Sequence, residues 1–189
     1  MEKKKILMKK SFLPAVILGV GTLCLSSCAD CCEQVSYKPV VAPTLKQMRH
    51  TLIDQLRNEG VQVIQLGETM RFVVKSDSLF NPDSANLRGE YKPVLNTIAR
   101  LSRTYQKVNF KVAAYTDNRG NTTRQQALTT RQAQVVADYL WSRGIDARLA
   151  YAVGYNHQNP VAPNNSAKWR SDNCRLEISF RYYPPVPYV

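Results

Sequence analysis

The side chains with the clearest chemistry in this 189-residue chain are its five cysteines, four of which lie within nine residues of one another. They occupy the positions Cys24, Cys28, Cys31, Cys32 and Cys174. A metal site would need further ligands, and histidine occurs only at His50 and His157. The cluster therefore indicates acylation or disulfide formation, and the sequence predicts neither a metal ion nor a cofactor.

Cys28 follows a segment with the layout of a secretory signal peptide. Five lysines lie in the first ten residues, and residues 12–25 form an apolar stretch too short and too interrupted to span a bilayer. The segment ends in Leu25-Ser26-Ser27-Cys28 and so resembles a lipobox, with small side chains beside the bond that a signal peptidase cuts. This order favours cleavage after residue 27 and acylation of the Cys28 thiol. A conventional signal peptide cut elsewhere is the alternative.

The residues around Cys28 also predict a location. Acyl chains on a cysteine anchor a protein stably without a transmembrane helix. Cys24 fits the lipobox pattern less well, because Gly21 stands three residues before it. The residue after Cys28 is Ala29, not the aspartate that retains lipoproteins at the inner membrane in enterobacterial-type sorting. We therefore expect an outer-membrane lipoprotein that faces the periplasm.

Three other cysteines of the mature chain would lie in that oxidising compartment. Cys31 and Cys32 are adjacent, and vicinal cysteines rarely bond to each other because the ring is strained. Either can pair with Cys174 or with a cysteine of another chain. The sequence leaves this pairing open.

The charge of the chain limits its partners. The formal net charge of +12 falls to about +8 once residues 1–27 are removed. A basic protein can bind nucleic acid, anionic lipid or an anionic wall polymer. Here the basic residues are scattered singly, without interleaved aromatic residues, as on an ordinary solvated surface. The composition therefore argues against a nucleic-acid partner.

The mature chain alternates helical and strand patterns between a tether at 28–43 and a proline-rich tail at 183–189. Thr44 is a candidate N-cap and Gly60 a candidate stop for the first helix. The predicted helices cover residues 44–59, 89–105 and 122–143, and the predicted strands cover 61–66, 70–74, 108–115, 147–153 and 174–182. A hairpin turn at 67–68 and a long loop at 154–171 connect them. The order predicts one α/β (α+β) domain with helices packed on a single mixed β-sheet.

The longest predicted helix, 122–143, should stop at Gly144. Its core-facing residues are expected to be Leu128, Val135, Val136, Tyr139 and Leu140.

Four segments resemble the OmpA-like C-terminal domain, in order and at the family's spacing, over roughly residues 70–182. They are Phe80 to Leu87, similar to F-x-x-x-S-A-x-L; Val112 to Gly120, similar to V-x-G-H-T-D-x-x-G; Leu128 to Ile145, similar to L-S-x-x-R-A-x-x-V-x-x-Y-L…G-I; and Arg170 to Ile178, similar to R-x-x-N-R-R-V-E-I. Residues 44–69 form a helix and first strand ahead of this domain. The resemblance implies the family's fold.

The resemblance also implies non-covalent binding of peptidoglycan through diaminopimelate, whose side chain ends in an ammonium and a carboxylate. Asp117 matches the acid that binds the ammonium, and Leu128 matches a wall of the pocket. Asp83 lies where some members place a polar contact, and Arg175 matches the second Arg of N-R-R. An arginine fork suits a carboxylate. Against these roles, Asp117 can serve only its own turn and Arg175 can be a solvated strand residue.

The chain departs from the family pattern where the ligand's carboxylate should bind. Fifteen residues after Asp117 the family has an arginine and this chain has Gln132, while Arg131 lies one position earlier, about 100° round the helix. The family's helix asparagine is Gln125 here, and the first Arg of N-R-R is Cys174. A neutral amide gives up a charge-assisted hydrogen bond, a loss of about 1–2 kcal/mol or about tenfold in affinity. We therefore expect weakened wall binding.

Taken together, these features predict an outer-membrane lipoprotein that anchors an envelope complex to peptidoglycan. Among short lipoproteins with this domain, the chain is similar to those of the type IVB (Dot/Icm) secretion systems, which implies other secretion-system subunits as partners. The alternative is a structural subunit of such an assembly that binds proteins through a degenerate wall site. Catalysis is not expected, because no nucleophile and base can be paired in the sequence.

Overall fold

The computed structural model describes residues 42–146 and 150–183. The predictions for the signal peptide, for lipidation of Cys28, for Cys31 and Cys32 and for the proline-rich tail lie outside these residues. So do most of the tether and the first part of the strand predicted at 147–153. No helix in the described part of the chain is long and apolar enough to cross a bilayer.

The first helix, α1 (Leu45–Asn58), lies within one residue of its predicted bounds at each end. The Thr44 hydroxyl accepts a hydrogen bond from the Gln47 N–H at 3.2 Å, and the Gln47 side chain accepts one from the Thr44 N–H at 2.8 Å. This capping box satisfies two donors that the helix start leaves without partners. Gly60 follows the helix with a φ of 82°, a conformation that favours glycine.

Five strands form one mixed sheet, as predicted. They are β1 (Gln62–Leu66), β2 (Thr69–Lys75), β3 (Lys107–Ala114), β4 (Ala150–Gly154) and β5 (Arg175–Tyr182). Their order across the sheet is β1-β2-β5-β3-β4. Strands β3 and β4 are parallel and the other neighbours are antiparallel. The predicted turn at residues 67–68 joins β1 to β2, with Gly67 at a φ of 55°.

Four further helices connect the strands: α2 (Ser76–Leu79), α3 (Lys92–Arg103), α4 (Thr122–Ser142) and α5 (Ala167–Asn173). The helix predicted at 89–105 begins later than expected, because a 3₁₀ turn at Gly89–Tyr91 precedes α3. Helix α4 matches its prediction closely. The Asn121 side chain caps α4 by accepting from the Arg124 N–H at 3.0 Å, and Gly144 follows it at a φ of 88°.

The prediction of an uninterrupted loop over 154–171 is wrong, because α5 begins inside it. The Ser166 hydroxyl caps this helix by accepting from the Trp169 N–H at 3.3 Å. A seven-residue helix spans only two turns. It is too short to produce a recognisable apolar period, so its sequence resembled the asparagine- and proline-rich loop before it.

The buried side of α4 also differs from the prediction. Val136 and Leu140 are buried as expected, whereas Leu128, Val135 and Tyr139 are only half-buried. The other residues buried along α4 are Thr129, Gln132, Ala133 and Ala137. These are mostly small side chains. They let the helix lie close to the sheet, and the larger apolar residues are displaced toward its flanks.

The helices cover one face of the sheet. The side chains that point to them from β2, β3 and β5 form the core, with Phe72, Phe110, Ile178 and Phe180 all at most 1% exposed. The alternate residues of the same strands point the other way and include Arg71, Lys111 and Glu177. The sheet therefore has a helix-covered face and a polar face.

Candidate functional site

Asp117 lies three residues beyond the end of β3, where the strand leads into the loop before α4. Its Oδ1 accepts a hydrogen bond from the Arg119 N–H at 3.0 Å, so the carboxylate does serve its own turn. Its Oδ2 lies 3.9 Å from Nε of Arg170, and the two side chains are 18% and 14% exposed. The Asp117 carboxylate therefore stabilises its own turn and also forms a long ion pair with Arg170.

Arg170 was not among the site residues that the sequence predicted. It lies on α5, within the region expected to be loop, and its Nη1 donates to the Asn164 carbonyl at 3.1 Å. One feature of the sequence could have identified Arg170 as a site residue: it is the first residue of the fourth family-like segment. Among the described residues, Asp117 forms its ion pair with Arg170 and not with Arg131 or Arg175.

Asn173 holds the loop that supports Arg170. The side chain is buried, and its Oδ1 accepts from the N–H groups of Val161 at 2.8 Å and Ala162 at 3.0 Å. Its Nδ2 donates to the Ala162 carbonyl at 2.8 Å and to Asn164 Oδ1 at 2.9 Å. These four bonds fix the segment whose Asn164 carbonyl binds Arg170. Asn173 is thus a positioning residue that the sequence analysis did not single out.

Gln132 stands where the family has its arginine, and it is 7% exposed. Its Nε2 donates to the Ser84 carbonyl at 2.9 Å and so joins α4 to the loop of residues 81–86. Asp83 lies in that loop, exposed, with a φ of 51°. The amide of Gln132 therefore already has a partner within the protein.

Gln125, Leu128 and Gln132 share one side of α4, because they are spaced three and seven residues apart along the helix. Gln125 and Leu128 are both half-buried. Gly120, in the loop that carries Asp117, lies beside Gln125, since a Cβ built on Gly120 is 3.6 Å from Nε2 of Gln125. This loop therefore runs beside the same side of the helix. The structure thus brings these three predicted residues onto one side of α4, with Gln125 close to that loop.

Arg131 lies on another side of α4. It lines an open cavity of about 820 Å³ together with Gln126, Thr130 and His157. This cavity lies between α4 and the segment that follows β4. Arg131 and Gln132 are adjacent in the sequence but point to different sides of α4, as the sequence predicts. They therefore lie in different surroundings.

Arg175 is 4% exposed, so the alternative of a solvated strand residue is wrong. Its Nε donates to Glu177 Oε1 at 2.8 Å, and its Nη2 donates to the Asn159 carbonyl at 3.1 Å. The guanidinium also lies 3.9 Å from the centre of the Tyr115 ring. These contacts place it on the polar face of the sheet, paired with Glu177.

Cys174 replaces the first Arg of the family's N-R-R and borders the Asp117 loop. Its Sγ lies 3.8 Å from Oγ1 of Thr116, and it is a free thiol among the described residues. Burial raises the pKa of this thiol, although bonds with Thr116 and with the Asp117 backbone act to lower it. The neutral thiol adds no positive charge to the site.

The arrangement around Asp117 can bind a zwitterion. A partly exposed carboxylate can accept hydrogen bonds from an ammonium group, and a guanidinium beside it can donate two parallel bonds to a carboxylate. A pair held at 3.9 Å can open to admit such a ligand more easily than a tight bidentate pair. In the described part of the chain, no group of three or more potential metal ligands occurs.

The sequence matches the model of the OmpA family over residues 79–174, about half of the chain. It is 30% identical over 128 residues to the probable lipoprotein YiaD of Escherichia coli (strain K12), covering 68% of this chain and 58% of that protein. It is 32% identical over 99 residues to the peptidoglycan-binding protein ArfA of Mycobacterium bovis, covering 52% of this chain and 30% of that protein. The chain spans about half the length of the first curated relatives it matches.

A solved structure is similar over a larger share of the chain. It is described as the cell wall anchor of the T6SS from Pseudomonas aeruginosa, and it superimposes with a TM-score of 0.64 at 30% sequence identity. The match covers 75% of this chain and 99% of that one. The similarity therefore extends over nearly the whole of that anchor domain.

Proposed function

The chain belongs to the OmpA family, and from this premise we propose that it binds peptidoglycan non-covalently through the diaminopimelate of the stem peptide. Two relatives support the proposal by what their names describe, a peptidoglycan-binding protein and a cell wall anchor. These names describe binding and anchoring, in agreement with a binding role for this chain as opposed to a catalytic one.

The Asp117–Arg170 pair is the observation that carries the proposal. The ligand's ammonium would bind the Asp117 carboxylate, and the ligand's carboxylate would bind the Arg170 guanidinium. In the structure Nε of Arg170 lies 3.9 Å from Oδ2 of Asp117. Gln125, Leu128 and Gln132 would form the helix wall of the site, with Asp83 on the neighbouring loop. In this arrangement Arg170 supplies the charge that Gln132 lacks.

Asp117→Asn tests this role separately from the turn. Asparagine keeps an oxygen that can accept from the Arg119 N–H, but it removes the negative charge that binds an ammonium. We expect this variant to bind purified sacculi about tenfold more weakly than the wild type, since a charge-assisted bond becomes a neutral one. The fraction of protein that pellets with the sacculi measures this binding. Arg170→Gln should weaken binding to a similar extent.

Asp138→Asn is the matched control, because it removes an exposed carboxylate of α4 whose hydrogen-bond partner among the described residues is Gln134 of the same helix. It should pellet like the wild type. Wild-type pelleting by Asp117→Asn would exclude the carboxylate from ligand binding and contradict the proposal.

The anchoring part of the proposal concerns Cys28. We infer that acyl chains on Cys28 hold the protein at the outer membrane, with residues 28–43 as a tether and the OmpA-like domain at 70–182 in the periplasm. The lipobox-like sequence and Ala29 support this, as does similarity to a probable lipoprotein. The anchored assembly would be an envelope complex. The resemblance to the DotK/IcmN lipoproteins suggests a type IV secretion core, with its other subunits as partners.

A second function is favoured by the hydrogen bond between Gln132 and Ser84. In this second proposal the engaged amide makes the wall site degenerate, and the protein is a structural subunit that binds other proteins of the assembly. Wild-type protein that fails to pellet with sacculi, yet co-purifies with envelope proteins, would support this alternative over wall binding.

A further inference from the structure

The polar face of the sheet carries an uneven distribution of charge. A cleft of about 380 Å³ lies on this face, and its charged lining among the described residues is Arg71, Lys111, Arg175 and one carboxylate, Glu177. Arg175 contacts this carboxylate at 2.8 Å and Arg71 at 3.6 Å, so one negative charge is shared between two cations. With Lys111, the cleft keeps an excess of about two positive charges.

Strand register places two of these cations on either side of a hydroxyl. Ser179 of β5 is paired with Arg71 of β2 on one side and with Lys111 of β3 on the other. Neighbouring strands lie about 4.8 Å apart, so the two cationic side chains start about 10 Å apart with Ser179 between them. An oxyanion above Ser179 can therefore contact both cations and the hydroxyl together.

A hydrogen bond to Tyr155 positions the Lys111 ammonium for such a contact. Among the described residues the Lys111 Nζ donates one hydrogen bond, to the Tyr155 hydroxyl at 2.7 Å, which leaves two of its three donors for a ligand. Burial acts to lower its pKa, but the bond with Tyr155 and the nearby tyrosines outweigh this and raise it. Lys111 is therefore cationic at neutral pH.

A second cleft of about 400 Å³ adjoins the first and shares Arg71, Arg175 and Glu177 with it. Its lining also includes Ile64, Val73 and Val161, of which Ile64 and Val161 are 38% and 62% exposed. Lys75 and Asp172, paired at 3.1 Å, also line this second cleft. The polar face thus offers a cationic cleft beside one that has both apolar and charged walls.

The depth of the charged groups distinguishes the possible occupants. Arg175 and Glu177 are recessed, with side chains 5% and 12% exposed, whereas Arg71 is 49% exposed, so a flat surface such as a bilayer can meet Arg71 but cannot reach the floor of the cleft. An acidic side chain can enter it. In an extended segment, residues two apart point the same way about 6.8 Å apart, a spacing that can place an acid in one cleft and an apolar side chain in the next.

We propose that this face binds an extended, acidic segment of a partner protein, with a carboxylate above Ser179 between Arg71 and Lys111. An apolar side chain of the same segment lies against Ile64, Val73 and Val161. This contact is separate from the wall site, because it uses neither Asp117 nor Arg170.

The test uses the full-length lipoprotein in detergent and a dye-labelled heptapeptide in which glutamate and valine alternate, separated by serines. Fluorescence anisotropy measures binding, with the same peptide carrying glutamine for glutamate as the comparison. We expect Arg71→Gln/Lys111→Gln to bind the glutamate peptide at least tenfold more weakly than the wild type. The glutamine peptide should bind no better to the wild type than to this variant.

The matched control is Lys46→Gln/Arg57→Gln, which removes two exposed charges from α1. It should bind the peptide within twofold of the wild type. Ser179→Glu provides an independent variant, since it keeps both cations but places a carboxylate between them, and it should also block the peptide. Equal binding by Ser179→Glu and wild type, or equal loss in the control, would overturn the proposal.

Vesicles containing phosphatidylglycerol test the membrane as the occupant. If they distinguish the Arg71→Gln/Lys111→Gln variant from the control and the peptide does not, the face binds anionic lipid and the proposal is wrong. The same variant should still pellet with sacculi like the wild type, so this result is read independently of wall binding.

Discussion

At the scale of single residues, Asp117 and Arg175 are both paired charges, but their surroundings differ. Asp117 is partly exposed and lies 3.9 Å from its cation, whereas Arg175 is almost fully buried and bonded to Glu177 and to two backbone carbonyls. A buried charge needs such partners, because removing it from water is costly. Asp117 can therefore exchange its partner for a ligand, while Arg175 is committed to holding the 159 loop on the sheet.

The substitution Gln132→Arg restores the charge that the family pattern places at this position. An arginine there can keep a donor for the Ser84 carbonyl while adding a cation beside the Gln125 and Leu128 side of α4. We expect about tenfold tighter binding to sacculi, measured by pelleting, since a charge-assisted bond exceeds a neutral one by about 1–2 kcal/mol.

Gln134→Arg is the control for this prediction, because it adds the same charge at an exposed position of α4. Tighter binding by Gln134→Arg to the same extent would attribute the gain to general attraction between a basic protein and an anionic wall. A gain limited to Gln132→Arg would locate the ligand beside that residue.

At the scale of elements, the contact between α4 and the end of β4 sets how closely the helix approaches the sheet. A Cβ added at Gly154 would collide with the Thr130 backbone N and lie 2.6 Å from Oγ1 of Thr130 and 2.7 Å from Oγ1 of Thr129. The Gly154 carbonyl also accepts from Gln126 Nε2 at 2.8 Å. Only glycine allows this approach, which also explains the small buried residues of α4.

Gly154→Ala should therefore lower the free energy of unfolding by about 2 kcal/mol, in the range found when a packed interface is overfilled. Urea unfolding followed by circular dichroism measures the change. Gly89→Ala is the control, since no atom lies within 4 Å of a Cβ built there. It should change stability by less than about 0.5 kcal/mol. Equal effects of the two substitutions would contradict the close-packing account.

At the scale of the whole molecule, sixteen residues of sequence separate the proposed anchor at Cys28 from the first helix of the folded domain. Sixteen residues, 28–43, extend to at most roughly 55 Å. Binding at both ends would then join the membrane to the wall, with the polar face of the sheet available for a further partner.

Cys28→Ala should abolish incorporation of an alkyne-labelled palmitate and move the protein from the membrane fraction to the soluble fraction. The reason is that the Cys28 thiol is the proposed acylation point, and several acyl chains are needed for stable anchoring. Labelling and fractionation of cells measure the two effects. Cys24→Ala should behave like the wild type, and loss of label in that variant instead would assign the anchor to Cys24.

The sequence alone determined the three longest helices, the five strands of the mixed sheet, the cap at Thr44 and the stops at Gly60 and Gly144. It did so because apolar periodicity, capping residues and glycines act over only a few neighbouring positions. It missed the short helices α2 and α5. The family-like segments also pointed to Asp117 and to the missing arginine at Gln132. These inferences depend on residue types at fixed spacings, and spacing is visible without a structure.

Tertiary structure alone decided which cation stands beside which anion. Arg170 reaches Asp117 across 53 positions of sequence, through a seven-residue helix too short to show a period. Gln132 is bonded to Ser84 from 48 positions away, and the Arg175 guanidinium reaches the Asn159 carbonyl from 16 positions away. Such contacts depend on how distant segments pack, and local sequence patterns carry no information about that packing.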